Sequence, residues 1–300
     1  MKNIRFKFFL WITPLLLLGC ASAPPTAPVL GPTVSIAVPK TPPKIGLALG
    51  GGAARGFAHV GVIQVLEEAG ISPVLVTGTS AGSLVAALYA SGKNGAQLQK
   101  IAENMEEATI ADWTLPFFGR GVLRGEALAK YVNTQVGQKL IEAMPLPLGI
   151  VATDLNSGND MLFQRGDTGT AVRASSAVPA VFTPVKINGH EYVDGGLSSP
   201  VPVRAARKMG AELVIAVDIS SPPEGGSANG TIEVLLQTFS IMGKSINAFE
   251  LKDADIVVRP VLTGVSSADF SSRKRSIEAG RQAMLQALPQ LRLAIAAKSR

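Results

Sequence analysis

A serine set between two glycines, at a predicted strand-to-helix junction, constrains this chain more than any other feature. The segment Gly78–Gly82 reads G-T-S-A-G; it follows the apolar run Pro73–Thr77 and leads into another, Leu84–Tyr89. A G-x-S-x-G pattern at such a junction is the nucleophile elbow, a turn so sharp that the residues two positions from the serine must be small. We therefore expect the Ser80 hydroxyl to project above the strand ends. The Ala81 amide, at the helix N-terminus, should point toward a developing oxyanion.

A glycine-rich block lies upstream of this elbow. The run Gly50–Gly56 reads G-G-G-A-A-R-G, between a predicted buried strand, Ile45–Leu49, and a predicted helix, Phe57–Ala69. Successive glycines can turn their amides toward one point and form a nest for an anion. The block matches neither the phosphate-loop pattern nor the dinucleotide-binding pattern. A serine nucleophile about 30 residues later favours an oxyanion hole. Arg55 is expected to brace this loop, and contact with a substrate phosphate is the alternative.

A third block ends in an aspartate. The pair Asn188–Gly189 is a hairpin-turn signal between two short runs, Pro184–Ile187 and Glu191–Val193. The second predicted strand continues into Asp194–Gly196, where two glycines let the chain approach another backbone closely. A turn aspartate that caps its own chain is the alternative interpretation.

Together, Gly50–Gly56, Gly78–Gly82 and Asp194–Gly196 resemble, in order and spacing, the three signature blocks of the patatin-like phospholipases. Two stretches between the blocks, Ala152–Leu155 and Ala174–Pro184, are also similar to bacterial members. Each block is weak alone, but their joint occurrence is highly specific. The resemblance is firm from about residue 44 to residue 219 and looser in the C-terminal third.

This resemblance implies a catalytic dyad of Ser80 and Asp194, and an oxyanion hole formed chiefly by Gly51, Gly52 and Ala53. The other motif positions are expected to support these groups: Gly50, Arg55, Gly56, Gly78, Ala81, Gly82, Gly195 and Gly196. The implied fold is α/β, a three-layer α/β/α sandwich with a mainly parallel central sheet. The implied activity is hydrolysis of lipid acyl esters, of the phospholipase A, lysophospholipase or esterase type, without cofactor or metal ion.

The histidine content independently favours a dyad. A Ser-His-Asp triad needs an imidazole as its general base. The chain has two histidines, His59 and His190, and neither follows Asp194. A triad in α/β-hydrolase order is therefore restricted to Ser80, Asp154 and His190, which remains an alternative. His190 is predicted at an exposed hairpin tip, and His59 is predicted to be packed or to cap its helix.

The N-terminal region predicts export and lipidation. Three basic residues precede the apolar run Phe8–Leu18, which has the length of a signal peptide. It ends in Leu17–Cys20, which resembles the lipobox of bacterial lipoproteins, and Cys20 is the only cysteine. An ordinary signal peptide with an unrelated cysteine is the alternative. By analogy with lipoprotein sorting, Ser22 at the second mature position favours the outer membrane, facing the periplasm.

These features divide the chain into a signal peptide (1–19), a lipidated tether (20–43) and a catalytic domain (44–300). The segment 21–43 contains seven prolines and no aromatic residue. Such a stretch favours extended polyproline geometry and reaches up to about 70 Å. The domain alternates strand and helix signals, and unalternating apolar strands such as Leu213–Val217 indicate a parallel sheet covered on both faces.

Charge composition limits the partners. The net charge of +6 falls to +3 once Lys2, Arg5 and Lys7 leave with the signal peptide (6 − 3 = 3). A mildly basic chain is compatible with anionic phospholipid but does not indicate nucleic acid. The expected partners are membrane lipids, as substrate and as anchor, while the oligomeric state stays open. A non-enzymatic envelope lipoprotein that uses the fold as a scaffold is the rival of a different class.

Three further segments carry open predictions. Apolar residues at helical spacing between Ile232 and Phe249 predict a helix that faces the core, with lipid contact as the alternative. The aromatic segment Trp113–Phe118 is interpreted either as a lid over the site or as packing beneath a long connection. The basic run Arg273–Arg275 is expected to be a solvated helix start.

Overall fold

The computed structural model describes residues 41–106, 108, 112, 121–220, 230–265 and 269–300. Its strands are β1 (Ile45–Leu49), β2 (Leu75–Thr79), β3 (Gly121–Leu123), β4 (Leu148–Asp154), β5 (Asp160–Phe163), β6 (Ala180–Phe182), β7 (Val185–Ile187), β8 (His190–Asp194), β9 (Leu213–Val217) and β10 (Ile256–Val258). Its α-helices are α1 (Ala58–Glu68), α2 (Ala81–Ala90), α3 (Gly95–Asn104), α4 (Glu126–Gln135), α5 (Thr168–Ser175), α6 (Val203–Lys208), α7 (Thr231–Glu250) and α8 (Arg273–Lys298). The predicted signal peptide, most of the tether, the segment Trp113–Phe118 and residues 221–229 lie outside the described residues.

The central sheet has the strand order β10-β9-β1-β2-β4-β8-β7, and β5 pairs with β4. Strands β10, β9, β1, β2 and β4 run parallel, whereas β5, β7 and β8 add antiparallel pairs. The strands β1, β2 and β9 are buried along their whole length. A parallel strand buried on both faces reads as a continuous apolar run, which is why β1 and β9 were predictable from the sequence.

Helices cover both faces of the sheet and complete three layers. On one face, large side chains such as Leu47 and Ile215 pack in the main hydrophobic core with residues of α1, α2 and α8. On the other face, smaller side chains such as Ala48 and Ala216 pack against α6 and the turn Leu251–Asp253. The α/β/α sandwich with a mainly parallel sheet is therefore confirmed.

The register of β4 decides where the candidate site forms. Strand β2 pairs with the first part of β4 and ends at Thr79, opposite Val151. Strand β8 pairs with the last part of β4, where Asp194 lies opposite Ala152. Strand β5 pairs with the opposite edge of β4. Strand β8 therefore pairs with the same edge as β2, beyond the point where β2 ends. Val151 and Ala152 are neighbours on β4, and Ser80 directly follows Thr79. The pairing with β4 therefore brings Ser80 and Asp194 close together.

The hairpin between β7 and β8 forms as predicted. Asn188 and Gly189 both have positive φ, 51° and 86°, as a two-residue turn that follows the strand twist requires. The hairpin directs β8 back toward β2, so this local signal contributes directly to the position of Asp194.

The prediction for α7 is right about the helix and wrong about its face. Leu235, Leu236, Met242 and Phe249 are exposed, by 37 to 64 %. The helix contacts the turns at 195–197 and 251–253 and does not lie along the sheet. Among residues 233–250, its buried positions are the polar residues Asn247 and Glu250, whereas Phe239 and Ile246 are only partly buried.

Candidate functional site

Ser80 occupies the predicted elbow between β2 and α2. Its backbone has φ 52° and ψ −125°, a conformation that a residue with a side chain rarely adopts. The following turn brings α2 so close to β1 that a Cβ atom on Gly82 would overlap the Leu49 carbonyl oxygen. The elbow glycine is therefore required by close packing of the helix on the neighbouring strand.

A hydrogen-bond relay holds the strained elbow. The Ser80 amide donates to the Ser175 hydroxyl (2.8 Å), and that hydroxyl donates to the Val151 carbonyl (2.5 Å). On the other side, the Ser83 amide and hydroxyl both donate to the Ser80 carbonyl. This role of Ser175 is not predictable from the sequence, because its link to the elbow spans 95 positions. Such a pairing leaves no local signal.

Asp194 ends β8 beside Ser80 and is buried, with 7 % of its surface exposed. One carboxylate oxygen, Oδ1, accepts the Gly196 amide at 2.7 Å. Two hydrogen bonds hold the backbone of Asp194. Its amide donates to the Ala177 carbonyl, and its carbonyl accepts the Thr153 hydroxyl, both at 2.9 Å. The chain can pass here because the next residue is glycine: a Cβ atom on Gly195 would overlap the Val151 carbonyl. Asp194 thus caps its own turn, as the alternative interpretation expected, and the same side chain is the one that the resemblance assigns to the dyad.

The second carboxylate oxygen of Asp194, Oδ2, is not engaged by the turn that holds Oδ1. Oδ2 is buried and accepts no hydrogen bond of ordinary geometry from the described residues. Burial raises the pKa of Asp194 to about 6, against the opposing effects of the Gly196 amide and the Ser80 hydroxyl. The register of β4 brings the two residues together, because Thr79 pairs opposite Val151 and Asp194 pairs opposite the next residue, Ala152. Contacts between nucleophile and base commonly tighten only when substrate binds.

This raised pKa predicts the acidic limb of the pH profile. The predicted dyad uses Asp194 as its base, which must be ionised to accept a proton, so this prediction expects kcat/KM for a soluble ester to fall as the pH drops below about 6. The check is a pH-rate profile with a water-soluble ester, where an unperturbed carboxyl would give a limb near 4. Glu250, whose pKa burial raises to about 7, is the competing group. The limb near 6 should persist in Glu250→Gln; its disappearance would assign the titration to Glu250.

The glycine loop supports the elbow from the end of β1. The Gly50 amide donates to the Val217 carbonyl, and the Gly51 amide donates to the Pro200 carbonyl, both at 3.0 Å. The amides of Gly52, Ala53 and Ala81 make no hydrogen bond to another described residue. The structure thus removes Gly51 from the predicted oxyanion donors, because its N–H is already paired. The amides of Gly52, Ala53 and Ala81 remain as candidate donors.

Two side chains brace this loop. The Arg55 guanidinium donates through Nε to the Gly52 carbonyl (3.3 Å), in line with its predicted bracing role. His59 is fully buried on α1, and its Nε2 lies 2.8 Å from the Gly50 carbonyl, which can only accept. Burial lowers the pKa of His59 to about 4, so the ring is neutral at physiological pH. His59 is packed, as predicted, and fastens the glycine loop to α1.

The alternative triad is only partly assembled. His190 Nδ1 lies 2.9 Å from Asp154 Oδ2, so two of its three members pair, on an exposed surface. His190 and Asp194 lie four positions apart on β8, which corresponds to about 13 Å. The strand therefore carries the imidazole away from Ser80, and the residue beside the serine is Asp194.

An apolar cavity of about 310 Å³ opens at Ser80. It follows α2 from Ser80 to Leu88, a distance of about 12 Å along the helix axis. Its walls are almost entirely apolar and include Phe57, Leu84, Leu98, Ala102, Leu128 and Phe182. A cavity of this size and composition fits a hydrocarbon chain.

The remaining motif positions lie where the sequence places them. Gly50 and Gly56 bound the glycine loop, Gly78 precedes the elbow, and Gly196 binds Asp194. Across the described ranges, no group of three or more His, Cys, Asp or Glu side chains converges as a metal site would require. Within the same ranges, no helix combines the length and the apolar character needed to cross a bilayer.

The fold and the arrangement of Ser80, Asp194 and the glycine loop place this chain in the class of α/β proteins with a serine nucleophile elbow. More specifically, the chain belongs to the patatin-like phospholipase family, whose family model matches residues 47–207. The match includes all three signature blocks.

Known relatives agree with this assignment. An uncharacterized NTE family protein of Mycobacterium tuberculosis is 36 % identical over 207 residues, which are 69 % of this chain and 57 % of that protein. Patatin-like phospholipase domain-containing protein 6 of Homo sapiens is 35 % identical over 188 residues, 60 % of this chain and 14 % of that protein. The chain thus spans little more than half the length of its mycobacterial relative.

Among solved structures, VipD from Legionella pneumophila has a similar fold. The TM-score is 0.56 at 16 % sequence identity, and the match covers 83 % of this chain and 67 % of VipD. At this identity the similarity concerns the fold alone.

Proposed function

We propose that this protein is a serine hydrolase that cleaves acyl esters of lipids through Ser80 and Asp194. One observation carries the proposal: Ser80 lines an apolar cavity sized for an acyl chain, and the register of β4 sets it next to the buried carboxyl of Asp194. Membership of the patatin-like phospholipase family supports the same substrate class.

In the proposed mechanism, the Asp194 carboxylate accepts the Ser80 proton as Oγ attacks the ester carbonyl. The negative charge on the carbonyl oxygen is stabilised by the free amides of Gly52, Ala53 and Ala81. When the tetrahedral intermediate collapses, the C–O bond to the alcohol breaks and protonated Asp194 returns the proton to that oxygen. Water then attacks the acyl-serine with Asp194 again as base, which releases the fatty acid and restores Ser80.

Fatty-acid release from defined lipids tests the proposal. The purified protein should release free fatty acid from phosphatidylcholine or a lysophospholipid, measured by mass spectrometry. A fluorophosphonate should add to Ser80, identified by peptide mapping. If no adduct forms and no ester is hydrolysed, the scaffold alternative replaces the enzyme.

The cavity predicts the acyl-chain preference. Ala102, on α3, lines the cavity together with Leu98. Ala102→Phe should fill part of the space and reduce kcat/KM for long-chain esters by roughly tenfold or more, while esters of short acids are little affected. A series of p-nitrophenyl esters of increasing chain length measures this shift. An equal loss for all chain lengths would mean that the substitution disturbs the fold instead.

We further propose that the protein is a lipoprotein of the bacterial outer membrane, anchored through Cys20. The support is the sequence pattern Leu17–Cys20 and the proline-rich segment after it. Cys20→Ala should block lipidation and shift the protein from the membrane fraction, because stable anchoring depends on the buried acyl chains. Mass spectrometry of the mature N-terminus is the measurement. An unmodified Cys20, or cleavage elsewhere, would contradict the anchor without affecting the hydrolase.

A further inference from the structure

Helix α7 carries nearly half of the exposed large apolar residues in the described part of the chain. Of the thirteen large apolar residues that are exposed in the described ranges, six lie on this one helix. Scattered apolar residues on a surface are ordinary, but a concentration on one element marks an interaction site. The six are Val234, Leu235, Leu236, Ile241, Met242 and Phe249.

The N-terminal half of α7 is apolar on several sides. Val234, Leu235 and Leu236 are consecutive and all exposed, and steps of about 100° per residue spread them over more than half of the helix circumference. Between Glu233 and Lys244 no residue is charged. This uncharged segment, residues 234–243, is about 15 Å long, too short to cross a bilayer. We call it the apolar segment of α7.

The other half of α7 is fastened beside the candidate site. Glu250 is buried, and its Oε1 accepts the Ser199 hydroxyl at 2.6 Å. The Ser199 carbonyl accepts the hydroxyl of Thr79, the residue before Ser80, at 2.8 Å. Gly243, where the apolar segment ends, lies against Pro200. The apolar segment is therefore held at a fixed distance from the nucleophile.

We infer that the apolar segment of α7 inserts into the surface of a phospholipid bilayer, an inference that rests on the proposed lipid substrate. A second copy of this chain fits less well, because a stable protein interface needs about 800 Å² and 20 or more residues per partner. The apolar segment has only ten residues to contribute to an interface. A protein partner would cover one side of the helix and leave the apolar residues on its other sides exposed. A lipid surface surrounds an inserted helix.

Charge at the base of the segment suits phospholipid headgroups. Lys244 ends the uncharged run, and Lys252 lies with its Nζ 4.9 Å from the centre of the Phe249 ring. Cations next to inserted apolar residues are typical of interfacial helices, which combine apolar burial with attraction to anionic lipid. If Cys20 is lipidated, residues 21–40 keep a bilayer within about 60 Å of the domain.

A binding experiment separates this inference from the proposed activity. All proteins are full chains carrying Ser80→Ala, so that no lipid is consumed, and Cys20→Ala, so that the predicted anchor is absent. The test variant adds Leu235→Glu and Leu236→Glu. The matched control adds Leu285→Glu and Leu293→Glu on α8, two leucines of similar or greater exposure.

Flotation with vesicles of phosphatidylcholine and phosphatidylglycerol measures partitioning. The α7 variant should partition at least roughly tenfold more weakly than its parent, whereas the α8 control should partition like the parent. Equal partitioning of all three proteins, with no sign of α7 in the lipid from the second readout below, would overturn the inference. Equal partitioning together with a lipid signal from α7 would assign the shared binding to the N-terminal region.

An environment-sensitive dye gives that second readout at a single position. Because Cys20 is the only natural cysteine, Met242→Cys in the same background is labelled uniquely, and Leu285→Cys is its control. Vesicles should shift the emission to the blue at 242 and not at 285. No shift at 242 overturns the inference, and a shift that depends on protein concentration without vesicles assigns the segment to self-association. Neither result bears on whether Ser80 is catalytic, which fatty-acid release decides.

Discussion

Ser80→Ala and Asp194→Asn are each expected to reduce ester hydrolysis by about 10⁴-fold or more. The first removes the proposed nucleophile, and the second replaces the carboxyl beside it with a group that cannot accept a proton at neutral pH. Both variants should fold. Asparagine keeps the shape of aspartate and can accept the Gly196 amide through its oxygen, and it avoids the cost of a buried charge. The measurements are kcat with a soluble ester, fluorophosphonate labelling and thermal unfolding.

His190→Ala is the matched control for the dyad. Its ring is exposed and pairs with Asp154, so its removal should leave hydrolysis largely intact. An inactive His190→Ala together with an active Asp194→Asn would refute the dyad and establish the triad of Ser80, Asp154 and His190.

Gly52→Ala is expected to lower kcat by about 10²- to 10³-fold, the scale of losing one oxyanion donor. A Cβ atom at this position would lie 2.8 Å from Ile219 Cδ1 and 3.1 Å from the Ile219 carbonyl oxygen. Because Ile219 is buried and has little room to move, we expect the loop to shift, which turns the amides of Gly52 and Ala53 away from the carbonyl of the substrate. KM should change little, because these amides act mainly on the transition state. Steady-state kinetics with a soluble ester separates kcat from KM.

A second substitution tests the stated cause of that loss. Ile219→Val removes the closest atom, Cδ1, so the double variant should regain part of the lost turnover. A different result for Gly52→Ala would contradict the oxyanion hole: a weaker affinity for a phosphate-containing substrate analogue, with the turnover of bound substrate unchanged. That outcome would make the glycine loop a nest for the headgroup phosphate rather than an oxyanion hole.

The elements that the sequence predicted well are those whose cause is local. Strands β1 and β9 have the predicted bounds, because five consecutive buried apolar residues leave little choice of structure. The elbow at Ser80 and the turn at Asn188 follow from residues within a few positions of each. Membership of the patatin-like family also rests on such local blocks.

Contacts between distant segments were outside the reach of sequence reasoning. The Gly51 amide is paired because Pro200, 149 positions away, places its carbonyl there. Ser175 and Glu250 stabilise the site through hydrogen bonds to distant partners. The outward face of α7 was mispredicted for a related reason: periodicity predicts an apolar stripe, but only the packing decides whether a core lies beneath it.

The sequence by itself determined the nucleophile elbow, the glycine loop, the hairpin and the parallel core, because each depends on residue types at fixed short spacings. The tertiary structure alone decided that Asp194 lies beside Ser80 and His190 does not. The physical reason is the register of β4, whose adjacent residues Val151 and Ala152 pair with two strands that are more than 100 positions apart in the chain. Hydrogen bonds between strands set that register, and no local pattern encodes which two strand ends will meet.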